Sequence, residues 1–151
     1  MSLTNSSTKY GAISIGLHWF MFLLLVTVYA SIELRELYPK GSDIREMFKT
    51  WHFMLGLTVF SLVWFRLIAR LLQVTPSIKP AIIKWQYSLA KTTHFCLYLL
   101  MIGMPIGGWL ILSAEGKNVP FYGLLLPALI ADNKETAELI EDIHKTVGLV
   151  G

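Results

Sequence analysis

The sequence predicts an all-α membrane protein, an up-and-down four-helix transmembrane bundle whose fourth helix is incomplete. Three observations carry this expectation. Hydrophobic residues make up 54% of the chain and charged ones 15%, with a mean hydropathy of +0.56. The apolar residues are gathered into blocks, three of which reach the roughly 20 residues needed to cross a bilayer. The four histidines, His18, His52, His94 and His144, each lie at or just inside one end of an apolar segment.

The first span is expected from about Ile13 to Ile32, the second from about Thr50 to Leu72, and the third from about Ser88 to Leu112. Each should be helical, because lipid leaves only helices and closed barrels with a satisfied backbone. The runs are too long and too continuously apolar for barrel strands. A fourth helix begins around Ala137 and has only two or three apolar turns before Gly151, too short to span. The whole of 1–151 fits a single transmembrane domain. The first span reads as retained: it is too long for a cleaved signal, and no small-residue cleavage site follows it.

Loop charges set the orientation. Between spans two and three stand Arg66, Arg70, Lys79, Lys84 and Lys91, with no acid. The first loop has Arg35, Lys40, Arg45 and Lys49, balanced by Glu33, Glu36, Asp43 and Glu46. The last loop has Lys117, Lys134 and Lys145 against six acids. The positive-inside rule therefore places the second loop and the N-terminus in the cytoplasm. Tyr10, Trp19, Trp51, Trp85, Tyr87 and Trp109 fall near the expected interfaces, as an aromatic belt would.

Arg66 and Arg70 can snorkel to headgroups, or one can pair with a buried anion such as a haem propionate. Pro105 with Gly103, Gly107 and Gly108 is expected to kink span three and allow close helix contact. Pro76 and Pro80 mark a non-helical linker. Cys96 stands alone and forms no intrachain disulfide. The net charge of +3 is too small and dispersed for a nucleic-acid surface. The glycine patch Gly103 to Gly108 lies inside a span and lacks the strand–turn–helix setting of a nucleotide site.

Depth sorts the histidines into two layers. His18 lies roughly 8 Å below the cytoplasmic edge at 1.5 Å per residue, and His94 enters its span from the same side. His52 and His144 both open their helices from the periplasmic side. An imidazole in a bilayer is costly and commonly functional. Zinc wants four ligands in a tetrahedron, and each layer offers two imidazoles. A haem needs two axial ligands on facing helices and an apolar slot, which a bundle core supplies. With both axial positions filled, such a centre moves electrons. Two stacked haems would place their irons roughly 20 Å apart across a core of about 30 Å.

The chain resembles the bacterial cytochrome b561 family, related to the haem-binding subunits of nickel–iron hydrogenases. The resemblance rests on SIGLHWFMFLLLV around His18, ELRELYPK, KTWHFMLGLTVFSLVWFRLIARL around His52, HFCLYLLMIGMPIGGWL from His94, GKNVPFYGLLLP, and IHKTVG at His144. It covers nearly all of the chain. It implies a four-helix bundle in the bacterial cytoplasmic (inner) membrane with two b-type haems. It further implies that His52 and His144 ligate the periplasmic-side haem and that His18 is one ligand of the cytoplasmic-side haem. In the family the partner of His18 lies later in the fourth helix, beyond Gly151. Three readings stay open: the chain is shortened, His94 substitutes as ligand, or the second haem is absent. His94 also matches a position near a quinone site, where an imidazole can trade a proton. A homodimer is one way to close the slot left by a short fourth helix.

The leading expectation is an electron-transfer cytochrome working between an unidentified periplasmic-side donor and ubiquinone in the bilayer, with superoxide oxidation as a subtype. Lys117 could draw in a small anion, although six acids share its segment. Two alternatives are the membrane anchor of a larger oxidoreductase and a haem-free membrane scaffold whose histidines only hydrogen-bond.

Overall fold

A computed structural model describes residues 2–77 and 83–150. Lys79 and Pro80 lie outside the described residues. Four helices run in chain order: α1 Ala12–Arg35, α2 Asp43–Leu72, α3 Lys84–Ala114 and α4 Lys134–Val150. The first three are long and apolar enough to cross a membrane. They pack sequentially, α1 on α2, α2 on α3 and α3 on α4. Large apolar side chains such as Phe22, Leu23, Phe65, Phe95 and Leu99 are exposed on the bundle, as lipid contact requires.

The helices extend beyond the apolar windows. α2 starts at Asp43, where the Ser42 hydroxyl accepts from the Arg45 amide, and Asp43 and Glu46 favour the positive end of the helix dipole. α4 starts at Lys134 rather than Ala137, because Asn133 Oδ1 caps the Thr136 amide at 3.0 Å. These polar turns lie outside the hydrophobic stretch that a hydropathy reading detects. α4 has 17 residues within the described chain, with charged side chains in its first turns, and is not among the helices long and apolar enough to cross a membrane. α3 is one continuous helix through Pro105.

The core is small and lies where α1, α2 and α3 meet. Met21, Leu24, Val59, Val63 and Met101 are buried there. A second cluster, Leu57, Leu112 and Val119, joins the α3–α4 connection to α2 and α3. Hydroxyls within the spans bond back to their own helices: Thr27 donates to the Leu23 carbonyl, Thr58 to Met54 and Ser61 to Leu57. That return satisfies each O–H where water is scarce.

The helical bundle carries one small β element in a connection. The α3–α4 connection forms a hairpin, with β1 Val119–Phe121 antiparallel to β2 Leu124–Leu126. Tyr122 and Gly123 form its two-residue turn, both with positive φ of 46° and 86°. Two such residues in succession give the mirror-image turn that matches strand twist. Tyr122 is the only non-glycine among the described residues with positive φ. It is held by a 3.0 Å hydrogen bond between its hydroxyl and that of Thr58 and by an edge contact with Trp51. Trp109 Nε1 donates to the Pro127 carbonyl at 2.9 Å, so the hairpin is fastened to both α2 and α3.

At the opposite end, the N-terminal residues clasp α1 to the exit of α2. The Asn5 amide donates to Gln73 Oε1 and its Nδ2 to the Val74 carbonyl. Asn5 Oδ1 accepts from the Gly11 amide and the Ser14 hydroxyl. A Cβ on Gly11 would lie 2.4 Å from the Thr4 carbonyl carbon, so this close approach of backbones needs glycine.

Candidate functional site

His52 sits about two and a half turns into α2, half-buried against α1. Its Nδ1 lies 3.1 Å from the Val28 carbonyl. A carbonyl oxygen can only accept, so Nδ1 carries the proton and Nε2 keeps its lone pair. This is the arrangement in which a second group orients an imidazole for metal ligation.

His144 comes from α4, which among the described elements packs its backbone on α3 only. Its ring rests against a notch made by two glycines. A Cβ on Gly107 would come within 3.1 Å of His144 Nδ1, and one on Gly108 within 3.8 Å of Cε1. Glycine at 107 thus lets α4 bring its imidazole in. The His52 and His144 ring centroids are 6.3 Å apart with planes at 80°. Phe53 stacks edge-on against His52 and closes the same layer near Gly108.

The spacing of these two imidazoles fits ligands shared by one haem iron. With metal–imidazole bonds of roughly 2 Å and about 1.1 Å from nitrogen to ring centre, two imidazoles on one iron have centroids about 6 Å apart. The observed spacing agrees. The two side chains meet although the backbones of α2 and α4 do not pack together. Among the described residues no group of three or more His, Cys, Asp or Glu converges as an all-protein metal cage would need.

The other two histidines do not meet in this way. His18 is exposed, and its Nδ1 accepts from Arg66 NH2 at 3.1 Å. Arginine has only donors, so this bond leaves the His18 proton on Nε2. Ligation through Nε2 requires Arg66 to release Nδ1. His94 is exposed on α3 and donates from Nδ1 to the Ala90 carbonyl one turn back. Its Nε2 is the open atom. Among the described residues the ring contact that joins His52 to His144 has no counterpart between His18 and His94.

Arg66 also donates from Nε to the Tyr98 hydroxyl at 3.3 Å, and Arg70 lies over the Tyr98 ring. Both arginines therefore link α2 to α3, in addition to any reach toward headgroups. Gly107 and Gly108 face α4, whereas a Cβ on Gly103 would meet nothing within 4 Å. Lys117 is paired with Glu115 at 2.9 Å, which blunts its attraction for a free anion.

Charged residues of the α1–α2 turn and of α4 also contribute local structure near the His52–His144 layer. Arg45 is 6% exposed. It donates twice to Glu36, 2.9 Å to each oxygen, and from NH1 to the Arg35 and Tyr38 carbonyls. The Arg45 hydrogen bonds hold the Glu36 carboxyl below its ordinary value. On α4, Glu141 is likewise held low, first by the hydrogen bond from Lys145, with further help from the charges of Lys145, Lys49 and Arg35.

A family model for prokaryotic cytochrome b561 matches residues 9–150. Cytochrome b561 homolog 1 of Escherichia coli (strain K12) is 32% identical over 143 residues, covering 95% of this chain and 81% of the relative. The probable superoxide oxidase CybB of Yersinia pestis is 32% identical over 136 residues, covering 90% and 76%. Cytochrome b561 homolog 2 of Escherichia coli (strain K12) is 26% identical over 152 residues, covering 95% and 77%. With its apolar helices, notched α3 and facing imidazoles, this chain belongs to the prokaryotic cytochrome b561 family, the multi-pass inner-membrane cytochromes that carry electrons on haem b.

Proposed function

We propose that the chain passes electrons between a donor on the periplasmic side and ubiquinone in the bilayer, through a haem held by His52 and His144. The observation that carries this reading is the 6.3 Å separation of the two rings, with His52 Nδ1 committed to Val28. When bound, haem b would supply one-electron exchange, with His52 and His144 as the residues that would hold it. The chain's own part is to orient and to insulate. Val28 fixes the His52 tautomer, Gly107 gives His144 room, and Phe53 excludes water from the layer.

His18 is the proposed ligand of a second, cytoplasmic-side haem, and His94 is either its substitute partner or a proton-exchanging group for the quinone. The exposed Nε2 of His94, with Nδ1 already satisfied, supports the quinone role. Superoxide is the donor to test first, because the relative from Yersinia pestis is named a probable superoxide oxidase. In that reaction two superoxide anions each give up one electron and leave as dioxygen, and ubiquinone takes up the two electrons with two protons to become the quinol. The basic second loop supports a cytoplasmic N-terminus.

The test is a dithionite-reduced minus oxidised spectrum of the detergent-purified chain, with haem counted as the pyridine haemochrome. A b-type α-band that is lost in His52→Ala and in His144→Ala supports the reading. A band that survives both substitutions overturns the ligand assignment, and no band in the wild type overturns the haem reading. Ubiquinone reduction on adding superoxide, inhibited by superoxide dismutase, checks the donor and acceptor.

A further inference from the structure

We propose that Arg35 binds a propionate carboxylate of the haem held at the His52–His144 layer. This rests on the haem reading above and adds a residue that secures the macrocycle at its edge.

Arg35 is the last residue of α1, about two turns beyond Val28 on the same helix. Its side chain is 25% exposed. Its Nε is buried and has no hydrogen-bond partner, the one such side-chain atom among the described residues. Leaving a charged donor buried and unpaired is costly, and a guanidinium has five N–H groups to satisfy. The obvious partner is already engaged. Arg35 NH1 stands 3.7 Å from Glu36 Oε1, beyond hydrogen-bond reach, while both Glu36 oxygens accept from Arg45 at 2.9 Å.

Arg35 follows Val28 by seven residues, close to two full turns, so it lies on the same face of α1 as the residue whose carbonyl orients His52, about 10 Å nearer the membrane edge. No Arg35–Glu141 ion pair forms among the described residues. Arg35 therefore has unused guanidinium donors two turns along α1 from the residue that orients His52. A carboxylate fits a guanidinium fork with two parallel hydrogen bonds, and haem b carries two carboxylates on its propionates. A lipid headgroup phosphate has the same hydrogen-bonding chemistry, so the test must separate the two sources.

The chain of residues 1–151, prepared without haem in detergent, is titrated with haem b and with its dimethyl ester, which keeps iron and ring but has no carboxylate. The wild type is expected to bind the free acid about tenfold to a hundredfold more tightly than the ester, the strength of a charge-assisted hydrogen bond. Arg35→Gln is expected to bring that ratio close to one while leaving affinity for the ester unchanged. Equal weakening toward both ligands, which a structural or lipid-headgroup role produces, overturns the proposal, as does no change toward either. Helix content by circular dichroism checks the fold. If Arg35→Gln does not fold, Arg35→Lys decides: it keeps the charge but loses the fork, so a reduced ratio supports the proposal and an unchanged ratio overturns it. A wild type that binds neither ligand overturns the haem reading and this proposal together. A wild type that binds both with no dependence on Arg35 overturns this proposal alone.

Discussion

Gly107 on α3 and His144 on α4 are in such close register that one added carbon on the glycine would lie 3.1 Å from the imidazole Nδ1. The ring's approach to His52 depends on that vacancy. Gly107→Ala should be tolerated with a slight displacement of His144, since the ring sits at the tip of a side chain. Gly107→Val should push it away and lower haem retention about tenfold or more, from overpacking worth about 1–3 kcal/mol. Haemochrome counts on the two variants check this, and equal retention in both would sink the idea.

The His52 and His18 sites should behave independently. His18 bonds to Arg66, and His52 to Val28, with no shared partner. Substitutions at separate sites without common partners add. His18→Ala should therefore leave the α-band of the His52–His144 haem in place, while His52→Ala removes it. A His18→Ala chain without any band would show that the two layers are coupled.

Arg45 is expected to govern the stability of the α1–α2 turn. Arg45→Ala removes donors from the Arg35 and Tyr38 carbonyls as well as from Glu36, and should cost about 1–3 kcal/mol. Thermal unfolding in detergent measures it.

The same clasp sets an acid limit. Glu36 has a folded value held below its ordinary 4.5, so its stabilising contribution is present above that value and is lost as pH falls through the lower folded value. The unfolding temperature should decline on acidification below about pH 4.5, and Glu36→Gln should remove part of the decline. An identical acid profile in Glu36→Gln would refute the assignment.

Asn5 makes four hydrogen bonds that tie the N-terminal segment to α1 and to the exit of α2. Asn5→Ala should release residues 2–10 from the bundle. Limited proteolysis of the N-terminus should then be faster than in the wild type, with the helix content unchanged.

The three spans were legible because lipid demands long apolar runs, and hydropathy measures just that. Their ends were not, since Ser42, Asn133 and the charged turns beside them answer to water and to capping. The hairpin was hidden for a different reason. VPFYGLLL shows no apolar–polar alternation, and its turn uses Tyr122, held in place by Thr58, where Asn or Asp would have announced it. The four histidines stood out by their positions, yet spacing alone could not reveal that His52 reaches Val28 or that His18 turns to Arg66. Arg35 and Arg45 were the least visible. A charge in a connecting segment looks like a topology signal, and only the folded α1–α2 corner shows one buried and the other left with an unused donor.

The attachment of α4 to α3 alone among the described helices has a mechanical consequence. A helix fastened along a single seam can swing about it, and that swing alters the distance between its imidazole and the one on α2 while Met21, Val59, Val63 and Met101 stay where they are. The ring separation is thus adjustable independently of the core. Its calibration lies in the short hairpin that joins the two helices, so changes to Tyr122 or Trp109, far in sequence from any histidine, should retune the centre without loosening the bundle.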